Sequence, residues 1–159
     1  MMLYLVRHAE SAHSPRWRAD SERPLSPRGR QQQIVASKRM KNLGFKINEA
    51  WVSPFKRARE TLSIIMKEMD LQIPVEVLDA LRVSGDHEMI ISKIHVEEPR
   101  GRNKGILIVG HNPNITRILV SLVGEKAPRM GTSDLAYVLI EDGQIQLAKY
   151  YQKGALVLL

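Results

Sequence analysis

The segment GILIVGH, Gly105–His111, sets four consecutive aliphatic residues between two glycines and ends on a histidine. A run this short and this apolar, with no polar alternation, reads as a strand covered on both faces, the situation of strands in parallel sheets flanked by helices. LYLV at 3–6, EAWVS at 49–53 and VEVL at 75–78 are further candidate strands. Helical patterns lie between them. Ser26 followed by Pro27 predicts a capped helix start, with Gly44 as its stop. Pro54 opens a second helix, in which Ala58, Leu62, Ile65, Met66 and Met69 share one face. A weaker helix is expected over 86–97, and another after His111 with Ile115, Ile118, Leu119 and Leu122 inward. Two last strands, about 135–141 and 144–151, flank Asp142-Gly143, a hairpin signal. The expected fold is α/β: a three-layer α/β/α sandwich whose central sheet is mostly parallel with antiparallel edge strands, one domain over 1–159.

Composition narrows the function. Lys and Arg number 24 against 17 Asp and Glu, a formal net charge of +7, which favours anionic partners. Only 5% of residues are aromatic and no basic run reaches five, so nucleic acid is not an expected partner. The absence of cysteine excludes disulfides, thiolate metal sites and cysteine nucleophiles. No apolar run reaches signal-peptide or membrane-span length, so the expectation is a cytoplasmic protein that does not enter a membrane.

Ligands of such sheets bind beyond the carboxyl ends of the strands. The strands deliver there Arg7 and His8; Ser53, with Arg57 one turn on; Arg82, Ser84 and Asp86; and Gly110, His111 and Asn112. Arginines match phosphate oxygens in a fork, and the helix starts near Pro54 and Pro113 would add backbone donors. The set describes a dianion pocket with imidazoles beside it. Neutral imidazole is a competent nucleophile near neutral pH, and attack on phosphorus requires mainly positioning and positive charge around the oxygens. Arginines and a second, protonated histidine would supply that charge. A metal held by His8 and His111 is disfavoured, since neighbouring arginines repel a cation; no cofactor is expected. Ser53 lacks a Gly-x-Ser-x-Gly surround and is not read as a nucleophile. His13, His87 and His95 carry no motif, and Arg16 and Arg18 flank Trp17 in a charged loop.

Three segments together carry a resemblance. LVRHAE resembles the Arg-His-Gly signature of the histidine phosphatase superfamily, VSPFKRARET its Ser-Pro-x-x-Arg-Ala-x-x-Thr segment, and IVGHNP its second-histidine segment. SERPLSPRG is similar to an Arg-Pro-Leu-(Ser/Thr)-x-x-Gly segment of the small bacterial phosphohistidine phosphatase branch. The resemblance implies a phosphoglycerate mutase-like fold, here without the insertions that build a cap. It implies that His8 takes the phosphoryl group and that Arg7, Arg57 and His111 hold its oxygens, with Arg23 a further phosphate contact. The implied activity is a metal-independent phosphatase working through phosphohistidine, on a phosphohistidine-bearing protein. A small-ester phosphatase and a non-catalytic phosphate-binding scaffold are the alternatives; a mutase fits the short chain less well.

Two positions depart from the pattern. Ala9 stands where the signature usually has glycine, which adds a methyl and limits positive φ. No counterpart to the superfamily's acidic proton donor is evident. Asp86 is the first candidate general acid, with Glu10 and Asp20 behind it; Asp86 also suits the N-cap of the helix that follows.

Overall fold

The structure, a computed structural model, describes residues 1–13 and 17–158; Arg16 and the middle of the expected 11–26 loop lie outside the described residues. Seven strands, β1 (Met2–Arg7), β2 (Glu49–Val52), β3 (Val75–Val77), β4 (Gly105–Gly110), β5 (Leu135–Glu141), β6 (Gln144–Gln152) and β7 (Ala155–Val157), form one sheet in the order β3-β2-β4-β1-β5-β6-β7. The first four pair in parallel and the last three add antiparallel to β1 in turn. The four helices are α1 (Pro27–Lys41), α2 (Lys56–Glu68), α3 (His87–Glu97) and α4 (Asn114–Val123).

The apolar runs are strands because both of their faces are covered. On one face Leu3, Leu5, Trp51, Ile106 and Ile108 meet Ile90 and Ile94 of α3 and Ile115, Ile118, Leu119 and Leu122 of α4. On the other, Tyr4, Val6, Ala50, Val52, Leu107 and Val109 meet Ala36 and Met40 of α1 and Ala58, Leu62 and Ile65 of α2. Alternate residues of one strand thus serve two cores, as the two-residue period of a strand requires. The layers are those expected from the sequence.

Local signals explain the boundaries. Ser26 caps α1, its hydroxyl accepting the Gly29 amide at 2.9 Å, with Pro27 next. The helix expected at Pro54 begins two residues later, at Lys56. Asp142 and Gly143 both have positive φ, as a two-residue hairpin turn demands. Lys153 and Gly154 repeat that geometry and return the chain as β7, which the short run ALV did not announce.

Gly29 fixes how α1 meets the loop after β1. A Cβ built there would stand 2.0 Å from the carbonyl oxygen of Glu10, so the backbone of that loop would have to shift. Gly29→Ala is therefore expected to lower unfolding stability by about 1–3 kcal/mol, or more if the loop cannot shift; urea denaturation read by circular dichroism measures it.

Candidate active site

The chain reverses its winding between β1 and β4. The helix after β1 lies on one face of the sheet and the helix after β4 on the other, which opens a crevice at the strands' carboxyl ends. The register sets Arg7 opposite Gly110, so the next residues, His8 and His111, leave the sheet side by side. The His8 amide donates to the Gly110 carbonyl at 3.0 Å, and the two ring centroids are 4.9 Å apart.

Each imidazole is held from one side. His8 Nδ1 lies 2.6 Å from the carbonyl oxygen of Ala9, which can only accept; Nδ1 therefore carries the proton and Nε2 the lone pair. Among the described residues Nε2 has no hydrogen-bond partner. The loop is anchored in turn: the Ala9 amide donates to Thr61 Oγ1 at 3.0 Å, and that hydroxyl donates to the Arg57 carbonyl at 2.7 Å. Ala9 is not among the residues with positive φ, so alanine in place of glycine costs no backbone strain here. His111 Nε2 is 2.7 Å from Ser53 Oγ, and that oxygen accepts the Phe55 amide, while His111 Nδ1 is buried with no partner among the described residues.

Burial and cationic neighbours govern the charge state. Desolvation, with the charges of Arg57, Arg7 and Arg23, draws His8 down to about 4. His111 falls to about 2 from desolvation, His8 and the same arginines. The expectation of a protonated second histidine is corrected for the ligand-free site: both imidazoles are neutral, because nothing buried beside them compensates a positive charge.

Three arginines surround the pair. Arg57, 3% exposed, donates from Nη1 to the Asp20 carbonyl at 2.8 Å and from Nη2 to the Asp20 carboxylate at 2.9 Å. Arg23 pairs with the other carboxylate oxygen at 3.1 Å. Burial opposes ionisation of Asp20, but the bonds and charges of Arg57 and Arg23 hold its carboxyl below the usual range. Arg7 donates to the Met130 carbonyl at 3.2 Å. The Nε groups of Arg7, Arg23 and Arg57 are buried and, like His111 Nδ1, lack a partner among the described residues. Native structures leave few such groups, so four around one cavity mark where a multidentate acceptor fits.

That cavity, about 330 Å³, brings together His8, Arg7, Arg57, His111 and Arg23. It does not include Asp86. The Asp86 carboxylate is exposed and accepts the Glu88 amide at 3.0 Å as the N-cap of α3, the capping role that the sequence also offered it. The loop after β3 instead presents Val83. Two acidic residues, Glu10 and Asp20, line the cavity. Glu10 accepts from Ser26 Oγ at 2.9 Å and Asp20 is bound to two arginines, so neither is a free proton donor. His13 and Thr132 also line it. Sequence reasoning passed over both, since neither sits beside a strand end in a motif. Among the described residues no group of three or more His, Asp or Glu side chains is arranged to hold a metal ion, and no helix is long and apolar enough to cross a membrane.

Paired imidazoles and three arginines at a parallel-sheet crevice define a site for phosphoryl chemistry, and comparison with known proteins supplies the class. Residues 3–89 match the model of the histidine phosphatase superfamily (branch 1), and the chain belongs to that family of phosphatases. It is 27% identical over 143 residues to the phosphohistidine phosphatase SixA of Escherichia coli, covering 89% of this chain and 87% of that protein. A structure of the protein histidine phosphatase SixA complexed with tungstate superposes with a TM-score of 0.89 at 26% identity, over 96% of this chain and 97% of the other. A phosphoglycerate mutase from Bacillus anthracis shares the fold, with a TM-score of 0.74 at 16% identity, over 92% of this chain and 90% of that one.

The depressed imidazoles make stability depend on pH. Unfolded histidines bind protons near pH 6.5, whereas folded His8 does so only near 4 and His111 lower still. The unfolded state therefore holds more protons between about pH 4 and 6.5, and stability falls as pH drops through that window. The urea midpoint at pH 5 is expected to lie below that at pH 7.5, with a smaller difference in His111→Asn.

Proposed function

We propose that the protein is a metal-independent phosphatase that works through phosphorylated His8 and acts on phosphohistidine in proteins. The observation that carries the reading is the ring of buried nitrogens on Arg7, Arg23, Arg57 and His111 that lack partners among the described residues, set around a histidine whose Nε2 has none among them either. Arg7, Arg57 and His111 hold the phosphoryl oxygens, with Arg23 at the edge. A bound dianion favours protonation of His111, giving in the loaded site the charge that the ligand-free site lacks. Tungstate, the ligand in the SixA structure, is likewise a tetrahedral oxyanion.

In the first step His8 Nε2 attacks phosphorus, an N–P bond forms, and the bond from phosphorus to the substrate's leaving atom breaks. In the second, water attacks phosphorus, the N–P bond to His8 breaks, and inorganic phosphate leaves. The protein's part is positioning and charge stabilisation. The two bonds to Asp20 use one N–H from each Nη of Arg57 and leave its Nε–H and the other Nη hydrogens for the phosphoryl oxygens, so Asp20 orients Arg57 before substrate arrives.

The described cavity lining offers no free carboxylic acid, which supports a substrate whose leaving group needs no proton from the enzyme. An alkoxide leaving group requires a proton from the enzyme. A phosphorylated imidazole takes one from solvent near neutral pH and leaves as neutral imidazole, and an aryloxide leaves unaided. SixA, a relative over most of its length, is a phosphohistidine phosphatase by name. A crowd of arginines that repels cations supports metal independence.

In excess EDTA, a phosphohistidine-bearing protein is expected to release phosphate rapidly, an aryl phosphate more slowly and phosphoserine least. Release from the aryl phosphate alone would shift the reading to a small-ester phosphatase, and silence on every substrate to a phosphate-binding scaffold. Asp86→Asn is expected to leave all rates within about twofold, since asparagine also caps a helix.

His8→Ala is expected to abolish turnover, by at least about a thousandfold, with the circular dichroism spectrum unchanged. Acid-labile phosphate trapped on the wild-type chain and missing from the variant identifies the nucleophile; a well-folded variant that still turns over removes His8 from that role.

A further inference from the structure

A second concavity, about 510 Å³, adjoins the phosphoryl cavity and shares Arg7 and Asn112 with it. Its remaining walls are Pro113, Thr116, Arg117 and Arg129. Arg117 and Arg129 are exposed, and neither forms an ion pair among the described residues. Among the described residues no acidic side chain lines this concavity.

The wall is built rather than incidental. Thr116 Oγ1 donates to Asn112 Oδ1 at 2.6 Å, and Asn112 Nδ2 donates to the Met130 carbonyl at 2.7 Å. The Met130 amide donates to Thr116 Oγ1 at 3.3 Å, and Arg7 donates to the same Met130 carbonyl at 3.2 Å. The backbone at Met130 is thereby tied to α4 and to β1, which fixes where its neighbour Arg129 emerges. The result is like charge against like: Arg129 faces Arg7 closely enough to oppose its charge, adding to the effect of burial. The fold holds three guanidiniums around one hollow whose described lining carries no acidic side chain, and Asp134 offsets charge only at Arg7; the hollow lies next to the proposed point of phosphoryl transfer.

We propose that this hollow is an anion subsite that binds a carboxylate of an acidic residue flanking the phosphohistidine in the substrate protein, with Arg117 and Arg129 as specificity-determining residues. This rests on the phosphohistidine phosphatase reading above. A phosphoryl group seated on Arg7 presents the chain that bears it to the shared wall at Asn112. Exposed guanidiniums favour carboxylates there by charge without entering the transfer step. They therefore act on substrate capture and not on the chemistry. A second anionic group on a small phosphate ester has the same chemistry and is the other possible source.

The test compares two phosphohistidine peptides that differ only in flanking aspartates or serines, with phosphoimidazole, which carries no carboxylate, as reference. The enzymes are wild type and the doubly substituted Arg117→Gln/Arg129→Gln chain. Wild type is expected to favour the acidic peptide about tenfold in kcat/KM, the effect of two exposed ion pairs, expressed in KM. The double variant is expected to lose that preference while its rate on phosphoimidazole is unchanged. Equal kcat/KM on both peptides in wild type, or a preference that survives in the variant, overturns the subsite while leaving the phosphatase reading intact. Wild type inert on all phosphohistidine but active on aryl phosphates overturns the reading itself and with it the protein-borne carboxylate. In that event, preference for a carboxylated aryl phosphate over its uncharged analogue, lost in the variant, assigns the hollow to a small anionic substrate.

Discussion

Everything at the site depends on the register of one parallel strand pair. With Arg7 opposite Gly110, the residues that follow each strand emerge as neighbours although 103 positions separate them. A slip of two residues would preserve every apolar contact face and separate the imidazoles by a full pleat. The register is held at both ends. The Met2 amide donates to Lys104 at the start, and the His8 amide donates to Gly110 at the rim. The hydrophobic sandwich supplies the rigidity, and the hydrogen-bond ladder supplies the alignment.

Around that pair the protein accepts an unfavourable arrangement. Two imidazoles and Arg57 are buried beside the half-buried Arg7 and Arg23, with the acidic bridge of Asp20 shared by Arg57 and Arg23. Such a cluster is costly when no anion is bound and favourable when one is. It is tolerated because a sheet with two covered faces provides stability elsewhere. Neutral His8 in the resting site follows from the same crowding, which keeps its lone pair available across the physiological range.

Much of this was legible in the chain. Apolar runs and helical spacing gave the strand and helix alternation, because covering both faces of a sheet leaves an unmistakable pattern in Ile106–Val109 and Leu3–Val6. The strand-end rule and the motifs gathered the residues that share one cavity. What escaped was set by tertiary contact. Val83, His13 and Thr132 reach the rim on loops whose paths no local pattern encodes. Asp86 satisfied two patterns at once, and the helix cap is the one the structure shows, its amide partner only two residues away. The charge of His111 depends on burial and on arginines drawn from distant segments, which no dipeptide records. Thr61, read as part of a motif, proved to be the clasp between α2 and the loop after His8.

The antiparallel wing has a bearing on the site that its position at the sheet's edge conceals. Asp134 accepts from Tyr150 of β6 at 2.7 Å and from the Gly131 amide at 2.8 Å, its carbonyl accepts the Arg7 amide, and Lys153 donates to the Thr132 carbonyl at 2.9 Å. The segment before β5 is thus a belt across the rim, and the hairpin is its buckle. Neither β6 nor β7 gives a side chain to the phosphoryl cavity, yet Tyr150 of β6 and Lys153 of the turn between them keep the belt drawn over Arg7. The wing is a remote tensioner for anion binding, so the reach of the site extends to the far edge of the sheet.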